Sequence, residues 1–197
     1  MLSWRRDVRH FDTRAIDAAV IERLFELAQL APSVGNAQPW RFVRVKTAKL
    51  RETLAAHVDE RAREAGAAYG ESERAALYAS LKLHGLREAP EIVAVFCDEE
   101  PPQGHGLGRA TMPEALRYST VLAIHTLWLA AQNEGIGLGW VSIVDPAFVA
   151  ALIEVPAQWS FVALLCIGYP VAPSDTPELE RRGWQARGDW RVNVSER

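Results

Sequence analysis

The sequence predicts a single α+β domain in which helices pack on a mainly antiparallel sheet. Amphipathic and apolar segments alternate irregularly, and no connection has the order of strand, phosphate-binding turn and helix that a parallel unit requires. The chain has 197 residues, of which 49% are hydrophobic, and this suffices for one domain with a substantial core. We therefore expect residues 1–197 to form one domain, with a C-terminal tail from about residue 170.

The first half of the chain begins with a clear amphipathic helix. Asp17 can cap this helix, which is expected to run to about Ala31, where a proline follows. Alternating polar and apolar residues predict a half-buried strand over residues 41–45, and Thr47 can cap a second helix. Residues 59–73 are charged and rich in alanine, with little to bury, so we expect an exposed segment or a mobile flap.

The middle of the chain contains the longest predicted helix. A short helix over residues 77–86 and a buried strand over residues 91–97 come first, followed by a loop at 98–111 that is long enough to be a functional lid. The long helix begins at Pro113 and ends near Glu134. Because two of its faces are apolar, we expect it either in the centre of the core or across a subunit interface.

The last third of the chain is predicted to complete the sheet. Residues 135–139 form a glycine-rich turn into a strand at 140–143, a short helix follows at 146–153, and residues 161–168 form a buried strand. Beyond residue 169 the chain is charged and rich in proline. We expect this tail to lie over the domain or over a partner subunit.

Composition and spacing exclude several classes of function. The net charge of −3 argues against broad binding of nucleic acid. The longest apolar run, residues 121–131, is too short to span a membrane, and no signal segment precedes the first arginines. Cys97 and Cys166 lie in apolar segments, as buried thiols of a reducing compartment do, so we expect a cytoplasmic protein. The histidines show no metal-ligand spacing.

The most informative cluster is Arg-Arg-Asp-Val-Arg at residues 5–9. Arginine presents a fork of donors that suits phosphate. Asp7, held among three guanidinium groups, should stay ionised unless it is buried. The cluster is either a solvated arm or a phosphate cradle with one functional acid. Ser33 and Gln38, in the loop after the first helix, offer further hydrogen-bond partners.

These motifs together resemble the nitroreductase-like flavoproteins. The arginine cluster, the Ser33 and Gln38 loop and a late glycine-rich turn occur in the order of that family. The resemblance implies a layered α-β-α fold and a homodimer that binds FMN in a groove between two subunits. It implies that Ser33 and Gln38 border the flavin, and that its phosphate and ring edge are held by Arg5, Arg6, Asp7, Val8 and Arg9.

Longer matches resemble the 5,6-dimethylbenzimidazole synthase branch of the family. They comprise residues 81–90, 111–114, 118–121 and 139–143, and the resemblance covers nearly the whole chain. The resemblance implies that reduced FMN is the substrate. Dioxygen attacks it, and the ring is fragmented to 5,6-dimethylbenzimidazole, the lower ligand of vitamin B12, with erythrose 4-phosphate as the other product.

Two residues of this chain map onto residues implicated in catalysis in that branch, namely Asp7 and Ser142. Asp7 can accept or donate a proton at the flavin, or it can be a salt-bridge partner that fixes the arginines. Ser142 can donate a hydrogen bond to the flavin, or it can be an ordinary strand serine. The resemblance adds further contacts to FMN, which we expect from Lys82, Arg87, Trp140 and Arg187.

The resemblance also implies a separate flavin reductase, so NAD(P)H would act only indirectly. One alternative is a conventional NAD(P)H-dependent FMN nitroreductase, or a flavin or corrinoid reductase. Asp7 disfavours it, because general nitroreductases more often carry a small hydroxyl residue there. A flavin-storage protein without chemistry is disfavoured by the joint match of Asp7 and Ser142. After Arg187 the chain departs from the Leu-Pro-rich tail of the branch, which leaves open how the C-terminus contacts a partner.

Overall fold

The computed structural model describes residues 1–197 and contains four strands and six α-helices. The strands are β1 (Trp40–Arg44), β2 (Glu91–Asp98), β3 (Gly137–Val141) and β4 (Trp159–Gly168). The helices are α1 (Ala18–Ala28), α2 (Ala48–Ala67), α3 (Glu73–Ala79), α4 (Ala115–Asn133), α5 (Pro146–Ile153) and α6 (Glu178–Arg181). Two short 3-10 helices lie at Val34–Asn36 and Trp190–Asn193.

The sheet is antiparallel throughout, with the strand order β1-β2-β4-β3. All eight residues of β2 are buried, so this strand must be covered on both faces. Ala94 and Phe96 belong to a core cluster with residues of α2 and α5, whereas Val93 and Val95 belong to one with residues of α1 and α4. This alternation along one strand gives three layers, α-β-α, and confirms the predicted α+β fold.

Side-chain caps fix the starts of several helices where the sequence predicts them. The Asp17 carboxylate accepts a hydrogen bond from the Ala19 N–H at 2.8 Å. Asp145 accepts from the N–H of Ala147 in the same way, at the start of α5. Such caps satisfy amide groups that have no partner inside the helix. Both helices are therefore confirmed, although α1 already ends at Ala28.

The region between β1 and β2 agrees with the prediction only in part. Residues 59–73 are mostly exposed, as predicted, and much of this segment is helical because α2 continues to Ala67. The next helix occupies Glu73–Ala79, so the predicted helix over residues 77–86 was wrong in position. The reason is the cap at Ser72, whose hydroxyl accepts from the Ala75 N–H at 3.1 Å and starts the helix early.

Two predicted strands begin earlier than expected. β3 starts at Gly137 rather than at residue 140, and β4 starts at Trp159 rather than at residue 161. Strand propensity disfavours glycine, which is why the sequence places the start of β3 after the glycines. The buried cysteines are confirmed, since both thiols are free and lie in the core.

Helix α4 is buried on one face and open on another. Leu116, Ile124 and Leu127 are buried in the core. Tyr118 and Leu122 are 54% and 44% exposed on the outer face. The helix is therefore not surrounded by the core of its own chain. No helix of the structure is long and apolar enough to cross a membrane.

Candidate active site

The site begins with the N-terminal segment, residues 5–11, which lies along the edge strand β3. The Val8 N–H donates to the Leu138 carbonyl at 3.0 Å, and Asp7 forms a parallel bridge with the same residue. A Cβ added to Gly139 would lie 2.1 Å from the Val8 carbonyl oxygen, and one added to Gly137 would lie 2.7 Å from a Val8 methyl group. The glycines of β3 therefore make room for this segment.

Asp7 is held at both of its carboxylate oxygens. Oδ1 accepts a hydrogen bond from the backbone N–H of Trp140 at 2.8 Å. Oδ2 accepts from Arg9, with Nε and Nη2 both at 3.0 Å. Burial raises the pKa of the Asp7 carboxyl group, and the attraction of Arg9 opposes this rise without cancelling it. The carboxylate is thus buried enough to be easier to protonate than an ordinary aspartate.

Arg9 links Asp7 to the segment that follows α3. Its Nη1 donates to the Lys82 carbonyl at 3.4 Å, and its side chain is only 14% exposed. The Lys82 ammonium forms an ion pair with Glu88 at 2.7 Å. Arg9 therefore connects Asp7 to the backbone of Lys82, whose charge is matched by Glu88.

Arg5 and Arg6 are positioned by Trp128 of α4. The Arg5 guanidinium lies 4.6 Å from the centre of the Trp128 ring, and the Trp128 indole N–H donates to the Arg6 carbonyl at 3.1 Å. Sequence reasoning did not single out Trp128 for the site. Its place on an apolar face of a long helix is typical of core tryptophans, so no sequence signal distinguished it.

Positive charge accumulates beside Arg6. Its Nε donates to the Asp175 carbonyl at 2.9 Å, which places it against the C-terminal tail. Burial lowers the pKa of Arg6, and repulsion from Arg187 and Arg5 lowers it further. Two guanidinium groups therefore repel that of Arg6, and an anion bound beside Arg6 would relieve this repulsion.

Two cavities adjoin the contact between Arg9 and Lys82. One, of about 520 Å³, lies between the N-terminal segment and residues 170–182, and its lining includes Arg6, Asp7 and Arg9. The other, of about 610 Å³, is lined by residues of α2, α3 and 81–88, including Lys82. The segment bearing Asp7 is thus accessible beside concave surfaces that can receive a small molecule.

Ser142 lies two residues beyond Trp140, directly after β3 ends. Ser142 is exposed, so its hydroxyl is free to meet a ligand. The structure therefore places Asp7 and Ser142 along the same edge of the sheet.

Ser33 and Gln38 lie elsewhere. The Ser33 hydroxyl accepts from the Gln38 N–H at 3.1 Å, in the loop that enters β1. Strands β1 and β3 are the two outer strands of the sheet, about 14 Å apart at the usual strand spacing. One chain therefore does not bring these two residues to Asp7.

Arg87 is also directed away from Asp7. Its guanidinium pairs with Glu52 at 3.0 Å and with Asp59 at 2.8 Å, both on α2. These hydrogen bonds raise the pKa of Arg87 above its ordinary value. Its charge is matched, as that of Lys82 is by Glu88, and both residues line the same cavity of about 610 Å³.

The C-terminal tail contacts its own chain as far as residue 184. Arg182 donates to the Ser80 carbonyl at 2.9 Å. Trp184 packs against Tyr69 and Tyr78, with ring centres 5.7 and 5.9 Å apart. Arg187 and the residues after it are exposed, which leaves them free to contact a partner.

The model of the nitroreductase family matches residues 2–169 of the chain. The chain belongs to the nitroreductase family. The resemblance found in the sequence is thereby confirmed. The chain is 57% identical to the 5,6-dimethylbenzimidazole synthase of Rhodospirillum rubrum over 189 residues, covering 95% of this chain and 88% of that protein. It is 53% identical to the synthase of Rhodobacter capsulatus, covering 94% and 89%.

Solved structures show the same nitroreductase-like fold. The structure of an iodotyrosine deiodinase bound to FMN and 3-iodo-L-tyrosine superimposes with a TM-score of 0.72 at 24% identity, covering 88% of this chain and 89% of that one. A BluB-like flavoprotein from Clostridium difficile 630 superimposes with a TM-score of 0.71 at 20% identity, covering 98% and 94%. The fold is thus shared at low sequence identity.

Proposed function

We propose that this nitroreductase-family protein is a 5,6-dimethylbenzimidazole synthase that consumes reduced FMN and dioxygen. The products would be 5,6-dimethylbenzimidazole and erythrose 4-phosphate. The observation that carries the proposal is Asp7, a half-buried carboxylate anchored within the arginine cluster, in a chain 57% identical to a synthase of that name.

The basic cluster fits the phosphate of FMN. Arg5 and Arg187 both repel Arg6, and the pKa of Arg6 is lowered in part for that reason. A phosphate dianion would accept charge-assisted hydrogen bonds from such a group and neutralise it. When bound, reduced FMN supplies the electrons for reaction with dioxygen and the atoms of the benzimidazole. The protein must supply orientation and proton transfer.

Asp7 is the candidate for proton transfer. Burial raises the pKa of its carboxyl group above that of an ordinary aspartate, which makes it a better proton acceptor. Ser142, on the same edge of the sheet, is the candidate hydrogen-bond donor to the reacting ring. The hydroxyl can turn to suit its partner because it is exposed.

Ser33 and Gln38 would enter the site from a second copy of the chain. They lie at the opposite outer strand from Asp7, so one chain cannot supply both groups to one flavin. The open face of α4, which carries Tyr118 and Leu122, offers an apolar surface for that second copy. We therefore include a homodimer with two composite sites in the proposal.

A second candidate function is an NAD(P)H-dependent flavin reductase. It is favoured by the 28% identity to a putative NADH dehydrogenase/NAD(P)H nitroreductase of Streptomyces coelicolor, which covers 94% of this chain. In the synthase proposal, electrons instead come from a separate flavin reductase. The two functions differ in the fate of FMN, which is destroyed by the synthase and recycled by the reductase.

One experiment separates these functions. FMN is reduced chemically without oxygen, mixed with an equal amount of protein and exposed to air, while the flavin spectrum and small-molecule products are followed. Loss of flavin with matching formation of 5,6-dimethylbenzimidazole supports the synthase. Full return of oxidised FMN without benzimidazole would exclude it. In a parallel assay with NADH and oxidised FMN, rapid consumption of NADH with intact FMN would favour the reductase.

A further inference from the structure

Arg9 differs from the other arginines of the cluster in what it contacts. Its Nε and Nη2 both reach Oδ2 of Asp7 at 3.0 Å, and its Nη1 reaches the Lys82 carbonyl. The Arg5 guanidinium instead lies on an indole ring, and Arg6 donates to backbone carbonyls. Arg9 is thus the one arginine of the cluster that makes an ion pair with a carboxylate.

We propose that Arg9 is a positioning residue that orients the Asp7 carboxylate and stabilises its negative charge, and is not a phosphate ligand. The inference deepens the synthase proposal, on which its catalytic consequence rests. The Trp140 N–H holds only Oδ1, so Asp7 without Arg9 would lose every donor to Oδ2. The Nε and Nη2 groups of Arg9 therefore determine which lone pairs of the carboxylate remain available for other hydrogen bonds.

The surroundings of Asp7 leave Arg9 as its dominant charge. Arg5 acts on it from the same segment with less effect, and β3 contributes only a backbone N–H. On the side of β4, Asp7 faces the Cys166 thiol. Burial raises the pKa of this thiol to about 12, so it is neutral at working pH. From the segment at 81–88 the nearby charges are Lys82 and Glu88, which pair with each other. With Arg9 removed, burial would act on the carboxyl group almost unopposed.

The first test titrates Asp7 directly in the protein without flavin. Aspartate carboxyl carbons are labelled with 13C, and the Asp7 resonance is assigned by its absence in Asp7→Asn. In Arg9→Met the midpoint should rise by about one pH unit or more, the usual effect of removing a close opposite charge. Arg9→Lys keeps the charge but loses the fork, so it should produce a smaller rise.

Arg5→Met is the matched control, because it removes a guanidinium of the same segment that does not touch Asp7. It should move the Asp7 midpoint less than Arg9→Met does, and weaken FMN binding more. The rate of benzimidazole formation should also be measured as a function of pH. The part of this profile that depends on the ionisation of Asp7 should shift in Arg9→Met by as many pH units as the Asp7 midpoint does in the titration.

Two results would overturn the inference. One is an Asp7 midpoint that stays at the parental pH in both Arg9 variants. The other is a loss of FMN affinity in Arg9→Met as large as in Arg5→Met, with the midpoint unmoved, which would make Arg9 a phosphate ligand. The titration needs no turnover, so it still tests the role of Arg9 in a protein that makes no benzimidazole.

Discussion

At the scale of single residues, Asp7 combines two opposed influences. Burial favours its protonated form, while Arg9 and the Trp140 N–H favour the carboxylate. The sequence shows the three arginines around Asp7 but cannot show its burial, which depends on the packing of residues 5–11 against β3. This balance leaves the pKa of Asp7 above that of an ordinary aspartate, which suits the group to proton transfer.

Replacing Asp7 tests its role without changing its shape. In Asp7→Asn we expect FMN to bind within about threefold of the parent affinity, while benzimidazole formation falls about 100-fold or more, the usual effect of losing a general acid–base. Asp12→Asn is the control, because Asp12 is exposed and directly follows the same segment. Formation of benzimidazole by Asp7→Asn at the parental rate would show that Asp7 is not catalytic.

Glu91 gives a prediction for the dependence of stability on pH. It is almost buried between Arg44 and Lys46, and burial raises its pKa, but their hydrogen bonds prevail and set it below the ordinary value of 4.5. A lowered carboxyl pKa stabilises the fold above the pKa of the unfolded chain, and this stabilisation disappears as the pH falls through the folded value.

The check compares Glu91→Gln with the parent in urea unfolding. The parent should be the more stable protein at pH 7, and the difference should shrink as the pH falls from about 5 to 3. A difference that stayed constant over this range would mean that the ion pairs of Glu91 contribute nothing that depends on its charge.

At the scale of elements, the N-terminal segment and β3 form one unit. The glycines at 137 and 139 leave β3 without side chains where Val8 lies, and the segment then presents Asp7 to the Trp140 N–H. In the sequence these glycines indicate only a turn. Their role in the strand becomes visible only when the distant segment is placed beside them.

Adding one methyl group at Gly139 should break this unit. A Cβ there meets the Val8 carbonyl oxygen, so Gly139→Ala should lower the free energy of unfolding by about 2 kcal/mol and weaken FMN binding. In Gly188→Ala, where nothing lies within 4 Å of the added carbon, we expect a change within about 0.5 kcal/mol. Equal stability of the two variants would contradict the packing described here.

The elements that the sequence predicts best are those with local signals. Side-chain caps and apolar periodicity locate α1, α5 and β2. The predicted position of the helix between residues 72 and 86 was wrong. The cap at Ser72 starts α3 early, and residues 81–86 form no helix. A Cβ at Gly85 would lie 2.4 Å from the Phe11 ring, a long-range contact that no local pattern reports.

In the candidate site, too, local features could be predicted from the sequence and long-range contacts could not. Asp7 lies within the arginine cluster in the sequence, so their proximity could be predicted without knowledge of the fold. The contact of Trp128 with the cluster, and the pairing of Arg87 with α2, depend on which helix face meets which neighbour. The order of the motifs in the sequence predicts a flavin site. It cannot show which of the site residues lie at which edge of the sheet.

At the scale of the whole molecule, the candidate residues occupy opposite edges of the sheet. Asp7, Trp140 and Ser142 lie at β3, whereas Ser33 and Gln38 lie where the chain enters β1. A composite site formed by two copies explains both this separation and the open apolar face of α4. Flavin binding should then depend on dimerisation.

Leu122→Glu tests this dependence. A charge on the open face of α4 should produce monomers in sedimentation velocity and weaken FMN binding at least about tenfold, because burying an unpaired carboxylate is costly. Ala56→Glu adds the same charge to the exposed side of α2 and should leave both properties unchanged. A monomeric Leu122→Glu protein with parental FMN affinity would show that one chain is sufficient for binding.

The fate of the flavin carbon atoms tests the central claim most directly. Reduced FMN carrying 13C in its ribityl chain is mixed with one equivalent of protein and exposed to air, and the products are analysed by mass spectrometry. The synthase proposal predicts about one 5,6-dimethylbenzimidazole for each FMN lost, with one ribityl carbon in the product. Complete recovery of labelled FMN, with no labelled benzimidazole, would contradict it.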